Sequence, residues 1–355
     1  MSAASPGLRR DPAVDAAKTV AIFGTLLIHV SAAGGFNWPV GSAAWLTNLF
    51  WNVLVRCAVP VFFLCSGALL LPPQKSVSIS AVWKKYIPRI LVALLFWAAA
   101  YALWPVAQIY ARTGIWDLVT IRTAVRNVVL FNHKYHLYYL HIILLVYALL
   151  PVTRLFAAKA DRQLLRYALG IWFVLGSVYP LLRNFPPFSA LTGIPVQYAI
   201  NLSWGAVGFG LLGHVLTEEA KRHPPKVFAL VYLAGFAVTF FGTWALSARS
   251  GTLVLHFLQG TAPGVCLQAA GIYGFCVSAF SRRERLPVAE TVSKASFCIY
   301  LVHVFFLDEL IARGITPGVY APVWAVPAIV LGLFVLSCGV WLVLRRIPLV
   351  NRYLV

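Results

Sequence analysis

Long apolar stretches alternate with short polar ones along the whole chain. Each stretch has about the 20 residues that a helix needs to cross the ~30 Å hydrocarbon core of a bilayer. The pattern therefore predicts one all-α domain over residues 1–355, a polytopic membrane protein of about ten transmembrane helices. The predicted helices lie near residues 13–34, 43–71, 86–108, 136–157, 164–182, 197–217, 227–247, 261–281, 292–312 and 322–344.

Composition excludes a soluble alternative. Hydrophobic residues make up 61% of the chain and charged residues 11%, with a mean hydropathy of +0.81, whereas soluble domains carry about 25% charged residues. The six cysteines all lie inside apolar stretches, without the spacing of a metal or redox motif. We expect them to be buried apolar side chains rather than disulfides or metal ligands.

Basic residues are concentrated on one side of the predicted membrane. Apart from Lys18 and Arg56, most of the 29 Lys and Arg fall in the loops and helix ends of that side. The positive-inside rule makes it cytoplasmic, with residues 1–12 and 345–355 as cytoplasmic tails. Orientation rather than nucleic-acid binding thus explains the net charge of +19, although a basic cytoplasmic face favours an anionic ligand. The opposite side holds only Arg112, Arg122, Arg126, Lys134, Arg183, Arg249 and Arg313.

The loop at 111–135 is the longest on the side predicted to be outside. Apolar residues recur in it at helical spacing, and two arginines lie on another side of that helix. We therefore expect a short amphipathic helix on the outer membrane surface or over a cavity. The apolar residues are Ile121, Val125, Val128 and Val129, and the arginines are Arg122 and Arg126.

The first predicted helix carries three ionisable residues: Asp15, Lys18 and His29. An Asp or Lys at the centre of a membrane helix costs about 2.5–3.5 kcal/mol, so these residues indicate function. Lys18 and His29 lie on nearly the same face, about 16 Å apart along the axis, and Asp15 can pair with Lys18. In the alternative interpretation, Lys18 reaches the interface beside Asp15, and His29 bonds a neighbouring helix inside the bundle.

The second predicted helix contains Arg56 near its middle, followed by Pro60 and the small pair Ser66-Gly67. The proline kinks the helix, and the small pair permits close approach of another helix. Arg56 must face the protein interior, where it could hold an anionic substrate group or a thioester carbonyl. The alternative is that it hydrogen-bonds backbone carbonyls of a neighbouring helix.

Five segments in order resemble the integral-membrane acyltransferase family 3. DAAKTVAIFGTLLIH resembles the Asp-x-x-Arg…His signature of the family's first helix, and RCAVPVFFLCSG resembles the signature of its second. WKKYIPRI (83–90) is similar to the basic start of its third helix, HLYYLHIILLVYALLPV (136–152) to its fourth-helix segment, and SFCIYLVHVFF (296–306) to a motif near its end. Together these segments span most of the chain.

The resemblance implies a bacterial inner-membrane enzyme that moves an acyl group, usually acetyl, from cytoplasmic acetyl-CoA to a hydroxyl of a glycan or lipid-linked sugar. Two positions depart from the family pattern. Lys18 stands where the family usually has Arg, which keeps the charge but loses the bidentate fork. Ile143 stands where many members have Glu, which places the chain nearest the branch resembling the enterobacterial common antigen O-acetyltransferase.

Acyl transfer to an alcohol needs a base near the hydroxyl and a donor for the developing oxyanion. His29 is the candidate general base because imidazole titrates near neutral pH. Arg56 and Tyr139 are candidates to contact the thioester or oxyanion, and His136 and His303 to contact the acceptor. The candidate acetyl-CoA-binding residues are Lys18, Asp15, Lys84, Lys85, Arg89 and Ser66.

Other interpretations compete with this one. A secondary transporter or permease would also use an intramembrane Asp, Lys and His, and its discriminating observation is acyl-CoA binding. A receptor or scaffold would not need the polar face of the first helix. Residues His133, His136 and His141 are spaced poorly for a metal site, so we expect no metal. Asp308 and Glu309, which follow His303 in the same predicted helix, could form a second polar site near the outer face.

Overall fold

The computed structural model describes residues 10–74 and 77–354, and within them every regular element is a helix. The first part of the predicted N-terminal tail (1–9, including Arg9) and Lys75 lie outside the described residues. The α-helices are α1 (Pro12–Ala32), α2 (Ala43–Leu54), α3 (Ala58–Leu70), α4 (Ile79–Ala81), α5 (Ile87–Thr113), α6 (Leu118–Val129), α7 (Tyr138–Ala148), α8 (Leu150–Lys159), α9 (Arg162–Phe173), α10 (Tyr179–Leu182), α11 (Leu202–Ala220), α12 (Pro225–Ser250), α13 (Pro263–Phe280), α14 (Pro287–Ala312), α15 (Pro322–Leu344) and α16 (Pro348–Tyr353).

The fold class is confirmed, but the number of spans differs from the expected ten. In the described part of the chain, eight helical segments are long and apolar enough to cross a membrane. A ninth exists if Tyr135–Ala148 and Leu150–Lys159, which meet at 55°, form one bent span. The sixth predicted segment is the helix α11, which falls outside this set; its sequence includes four glycines, His214 and two glutamates. The cytoplasmic placement of both termini therefore remains a prediction.

Helix α1 lies at the centre of the bundle, packed against α2, α3, α13, α14 and α15. Asp11 caps its start by accepting hydrogen bonds from the amides of Ala13 and Val14, and Pro12 occupies the first turn. Small buried residues allow the neighbouring helices to approach closely: Ala13, Ala16, Ala17, Ala21 and Gly24. This central position gives the polar side chains of α1 protein neighbours on every side.

The second span, Ala43–Leu70, contains a short non-helical turn. Helices α2 and α3 are separated by a turn at 55–57, so Arg56 lies in the break and not in a continuous helix. After the break, α3 packs against α11 through Gly67, as the small pair in the sequence predicted. A Cβ added to Gly67 would lie 1.8 Å from the carbonyl oxygen of Gly210. The two backbones are therefore in direct contact at this glycine.

We expect Gly67→Ala to lower the free energy of unfolding by about 1–3 kcal/mol, because the two backbones must separate to admit the methyl group. Thermal unfolding of the purified protein in detergent measures this. Gly332→Ala is the matched control, since a Cβ at that helical glycine meets no atom within 4 Å. Equal unfolding temperatures for the two variants would contradict the close contact of α3 and α11.

Two segments between and after the spans also have defined structure. Helix α6 lies within the loop 111–135, is capped by Asp117 and packs against α5. The predicted C-terminal tail, 345–355, contains α16, which contacts α5, and the carbonyl of Leu354 accepts a hydrogen bond from the indole of Trp97. The described part of that tail is therefore attached to the bundle.

Candidate active site

A cavity of about 300 Å³ lies beside the first half of α1, and we call it the cationic cavity. One end is cationic, with Lys18 of α1 and two basic residues from the start of the third span, Lys85 and Arg89. Lys18 forms no ion pair within the described residues, so its ammonium is available to an anion. The remaining lining residues are Thr25, Val59, Phe62, Ser66, Tyr86, Ile90, Tyr139, Ile143, Tyr147, Ser296, Phe297 and Tyr300.

Helix geometry selects which basic residues of WKKYIPRI reach this cavity. Lys85 and Arg89 are one turn apart and share a face of the continuous helical segment Ile79–Thr113. Lys84 does not line the cavity, although all three basic side chains are exposed. The structure thus separates two adjacent lysines that the sequence analysis treated alike.

Aromatic residues form the other end of the cavity. The ring of Tyr139 packs against Phe63 and Tyr300, with ring centroids 5.2 and 5.5 Å away. The Tyr300 hydroxyl donates a hydrogen bond to the backbone carbonyl of His136. Ser66 also lines the cavity and donates its own hydroxyl to the carbonyl of Phe62.

Three histidines from distant parts of the chain converge beyond this aromatic end. His29 comes from the last turn of α1, His136 from the short 3-10 turn before α7, and His303 from α14. Ring centroids are 4.9 Å apart for His29 and His303, 5.6 Å for His136 and His303, and 6.4 Å for His29 and His136. His136 and His303 are fully buried.

The hydrogen bonds of this cluster determine the tautomer of His29. Nδ1 of His303 lies 3.0 Å from the carbonyl oxygen of Ile299, which can only accept, so Nδ1 carries the proton. Nε2 of neutral His303 is then an acceptor, and it lies 2.6 Å from Nδ1 of His29. Nδ1 of His29 must therefore donate, which leaves Nε2 of His29 with a lone pair. That nitrogen forms no hydrogen bond with any residue that the structure describes.

Arg56 takes the alternative role that the sequence analysis left open. Its Nε donates to the backbone carbonyl of Leu258 at 2.5 Å, and its Nη1 lies 3.5 Å from Oδ1 of Asn52. It lines neither the cationic cavity nor any other cavity described below. It is nevertheless close enough to His29 and Tyr138 to act on both electrostatically.

Asp15 does not pair with Lys18, so that prediction was wrong. Both carboxylate oxygens instead accept from the guanidinium of Arg10, at 3.0 and 2.6 Å. This bidentate pair raises the pKa of Arg10 above its ordinary value. The forked guanidinium matches a carboxylate better than a single ammonium does. Asp15 therefore lies outside the cationic cavity, in a smaller one near Glu290.

The other histidines and acidic residues considered in the sequence analysis have separate partners. His133 and His141 bond each other, Nδ1 to Nε2 at 3.2 Å, so among the described residues the three spaced histidines do not converge on one point. Asp308 pairs with Lys134 at 2.6 Å. Glu309 accepts from Gln108, Trp104 and Arg313. Asp308 and Glu309 therefore have separate polar partners, and a polar site formed by both remains a prediction.

The tyrosines around the histidines were not predicted from the sequence. Tyr135 packs edge-on against His29, with centroids 5.2 Å apart, and Tyr101 packs against His136 at 4.9 Å. Tyr300 contacts both His136 and Tyr139. Tyr300 belongs to the quoted segment SFCIYLVHVFF, so that motif held a usable signal, whereas Tyr101 lies in an ordinary apolar stretch.

The arrangement combines three parts. The cationic cavity has a basic end, the cationic mouth, formed by Lys18, Lys85 and Arg89, and an apolar, aromatic end. Beyond the aromatic end, Nε2 of His29 is unprotonated, and His303 holds this imidazole in place. Such a set can bind an anionic ligand at one end and remove a proton at the other. A family model described as an acyltransferase domain matches residues 11–346. No curated protein and no solved structure gives a significant match to the chain.

Proposed function

The chain belongs to acyltransferase family 3, and from this premise we propose that it transfers an acetyl group from cytoplasmic acetyl-CoA to a hydroxyl of a glycan or lipid-linked sugar. The observation that carries the proposal is the cationic cavity, whose aromatic end meets the His29–His303 pair. The proposed reaction needs a site that binds the phosphates of acetyl-CoA and a base that takes the proton of the acceptor hydroxyl.

The cavity fits the thin end of acyl-CoA. Its volume of about 300 Å³ suits the pantetheine arm and the acetyl group, not the whole molecule. Lys18, Lys85 and Arg89 at the mouth would hold the phosphates, while the nucleotide stays outside. The apolar walls, which include Ile143 where many relatives carry Glu, would surround the arm.

His29 would supply the base. In the proposed reaction its Nε2 removes the proton of the acceptor hydroxyl as the oxygen attacks the thioester carbonyl. The carbon–sulfur bond then breaks, and the same nitrogen returns the proton to the leaving sulfur, so ester and free CoA are formed. His303 would hold His29 in the reactive tautomer throughout.

Tyr139 and Arg56 would act at different distances from the thioester carbonyl of acetyl-CoA. Tyr139 lines the cavity beside Tyr300, so its hydroxyl is the better placed to donate to the developing oxyanion. Arg56 is held by Leu258 and would contribute only a nearby positive charge. His136 is buried without a partner for either ring nitrogen in the described chain, and it would support the packing around His29.

Sidedness follows from the distribution of basic residues. The cationic mouth lies near the start of α1, on the side that the positive-inside rule predicts to be cytoplasmic, where acyl-CoA is available. We therefore place the protein in a bacterial inner membrane, with both termini in the cytoplasm and the acceptor on the periplasmic side.

Adjacent lysines provide the test. We expect Lys85→Ala to weaken acetyl-CoA binding about tenfold, because a charge-assisted contact to phosphate contributes roughly 1.5–3 kcal/mol. Lys84→Ala, outside the cavity, is expected to bind like the unchanged protein. Isothermal titration of the detergent-purified proteins with acetyl-CoA gives both dissociation constants, and release of free CoA reports turnover.

Two results would contradict the proposal. Equal weakening by both substitutions would show that the lysines act only as surface charge. No binding of acetyl-CoA by the unchanged protein would remove the acyl-CoA donor, and Lys18 and His29 would then be tested as part of a transport path.

A further inference from the structure

A second cavity, of about 480 Å³, lies beneath helix α6. It involves the later half of α5, whereas the cationic cavity contacts the beginning of the same span. The two cavities therefore lie toward opposite ends of the bundle. Its lining includes Tyr101, Asn127, Asn132, Lys134 and Tyr135.

Two tyrosines connect this cavity to the histidine cluster. Tyr135 lines the cavity and packs edge-on against His29, with ring centroids 5.2 Å apart. Tyr101 lines it too and packs against His136. Tyr135 thus lies at the border between the second cavity and the base, on the side away from the cationic cavity.

The polar groups of the second cavity suit a neutral ligand rich in hydroxyls. Its one lysine, Lys134, is already neutralised by Asp308 at 2.6 Å. Asn132 donates to Oδ1 of Asn127, which leaves Nδ2 of Asn127 and Oδ1 of Asn132 without partners among the described residues. Amide donors and acceptors side by side match the hydroxyls of a sugar, which both donate and accept. The cationic cavity has the opposite character.

Helix α6 forms a fixed wall of this cavity. It packs against α5, with a small apolar cavity of about 180 Å³ between the two helices, and Asp117 caps its first turn by accepting hydrogen bonds from the amides of Val119 and Thr120. Asn127 therefore faces the cavity from a helix anchored at its start and along its side. This anchoring lets a substitution on α6 change the cavity without removing the wall.

We propose that this second cavity is the acceptor site and that it binds the sugar ring of a glycan, with Tyr135 beside both the bound sugar and His29. The inference rests on the proposed acetyl transfer and adds the place and chemistry of acceptor recognition. The acceptor then reaches His29 from one end of the bundle and the acyl donor from the other.

The test is Asn127→Trp, which fills the cavity, compared with Arg122→Trp on the exposed side of the same helix. Each variant is produced in cells that make this protein naturally. Base-labile acetate is measured in the water-soluble polysaccharide and in the lipid extract, which separates free glycan from lipid-linked glycan. Acetyl-CoA affinity is measured on the purified proteins.

For Asn127→Trp we expect unchanged acetyl-CoA affinity and about 100-fold less ester acetate in one of the two fractions, because the sugar can no longer approach His29. Arg122→Trp should keep the acetyl-CoA affinity and the amount of ester acetate of the unchanged protein. Normal acetylation by Asn127→Trp would overturn the acceptor site. If the unchanged protein does not bind acetyl-CoA, the proposed function itself is overturned.

A second variant covers the case in which Asn127→Trp fails to fold. Asn127→Cys is modified in intact cells with a membrane-impermeant maleimide; the natural cysteines are buried or half-buried. Loss of ester acetate on modification, with acetyl-CoA affinity retained, supports the site. No modification from outside, or full acetylation by the modified protein, overturns it.

Discussion

Replacing His29 with glutamine is expected to lower the rate of acetyl transfer by about 10²–10⁴-fold, the contribution of a positioned general base. Glutamine keeps a polar side chain of similar reach but cannot take the proton of the acceptor hydroxyl at neutral pH. Acetyl-CoA affinity should remain unchanged, because the cationic mouth of the cavity is on Lys18, Lys85 and Arg89. The loss should therefore appear in kcat and not in donor binding.

Release of free CoA and formation of ester acetate measure this effect, with acetyl-CoA titration beside them. His214→Gln is the matched control, since His214 lies on α11 and contacts neither cavity. Turnover of His29→Gln at the unchanged rate would exclude His29 as the base. Loss of acetyl-CoA binding together with turnover would place His29 in donor binding instead.

The second large effect is expected at His303, which lines neither of the two cavities and acts through His29. His303→Leu removes the acceptor for Nδ1–H of His29, so His29 can rotate or adopt the other tautomer. We expect kcat to fall by about 10–100-fold with unchanged KM for acetyl-CoA, as for other residues that orient a catalytic histidine.

His303→Gln distinguishes positioning from packing. Oε1 of glutamine extends about as far as Nε2 of histidine and can accept from Nδ1 of His29, so this variant should recover most of the lost rate. A purely structural role would predict similar losses for leucine and glutamine, together with lower thermal stability of both. Steady-state kinetics and thermal unfolding of the two variants decide between these outcomes.

Much of the candidate site could be predicted because its residues share faces of regular helices. The sequence analysis named Lys18, Ser66, Lys85, Arg89 and Tyr139, and the structure brings all five to one cavity. Each lies on a helical segment, where side-chain direction follows from spacing alone. Their roles in binding and catalysis remain predictions that the experiments above test.

The wrong pairing of Asp15 and the alternative left open for Arg56 share a different cause, which is competition between hydrogen-bond partners. Asp15 has Lys18 one turn away, but the guanidinium of Arg10 matches its two oxygens better. Arg56, in the turn between α2 and α3, bonds the carbonyl of Leu258, which is distant in the chain. Neither preference follows from spacing within one helix.

The sequence by itself determined the membrane class, the all-helical fold, the family and the helix face that carries Lys18 and His29. These properties depend on apolar length and helical period, which are local along the chain. Only the tertiary structure decided that His29 pairs with His303 and lies between a cationic and a neutral cavity. The physical reason is that a buried polar group must find a partner in space, and for His29 that partner lies on a helix near the other end of the chain.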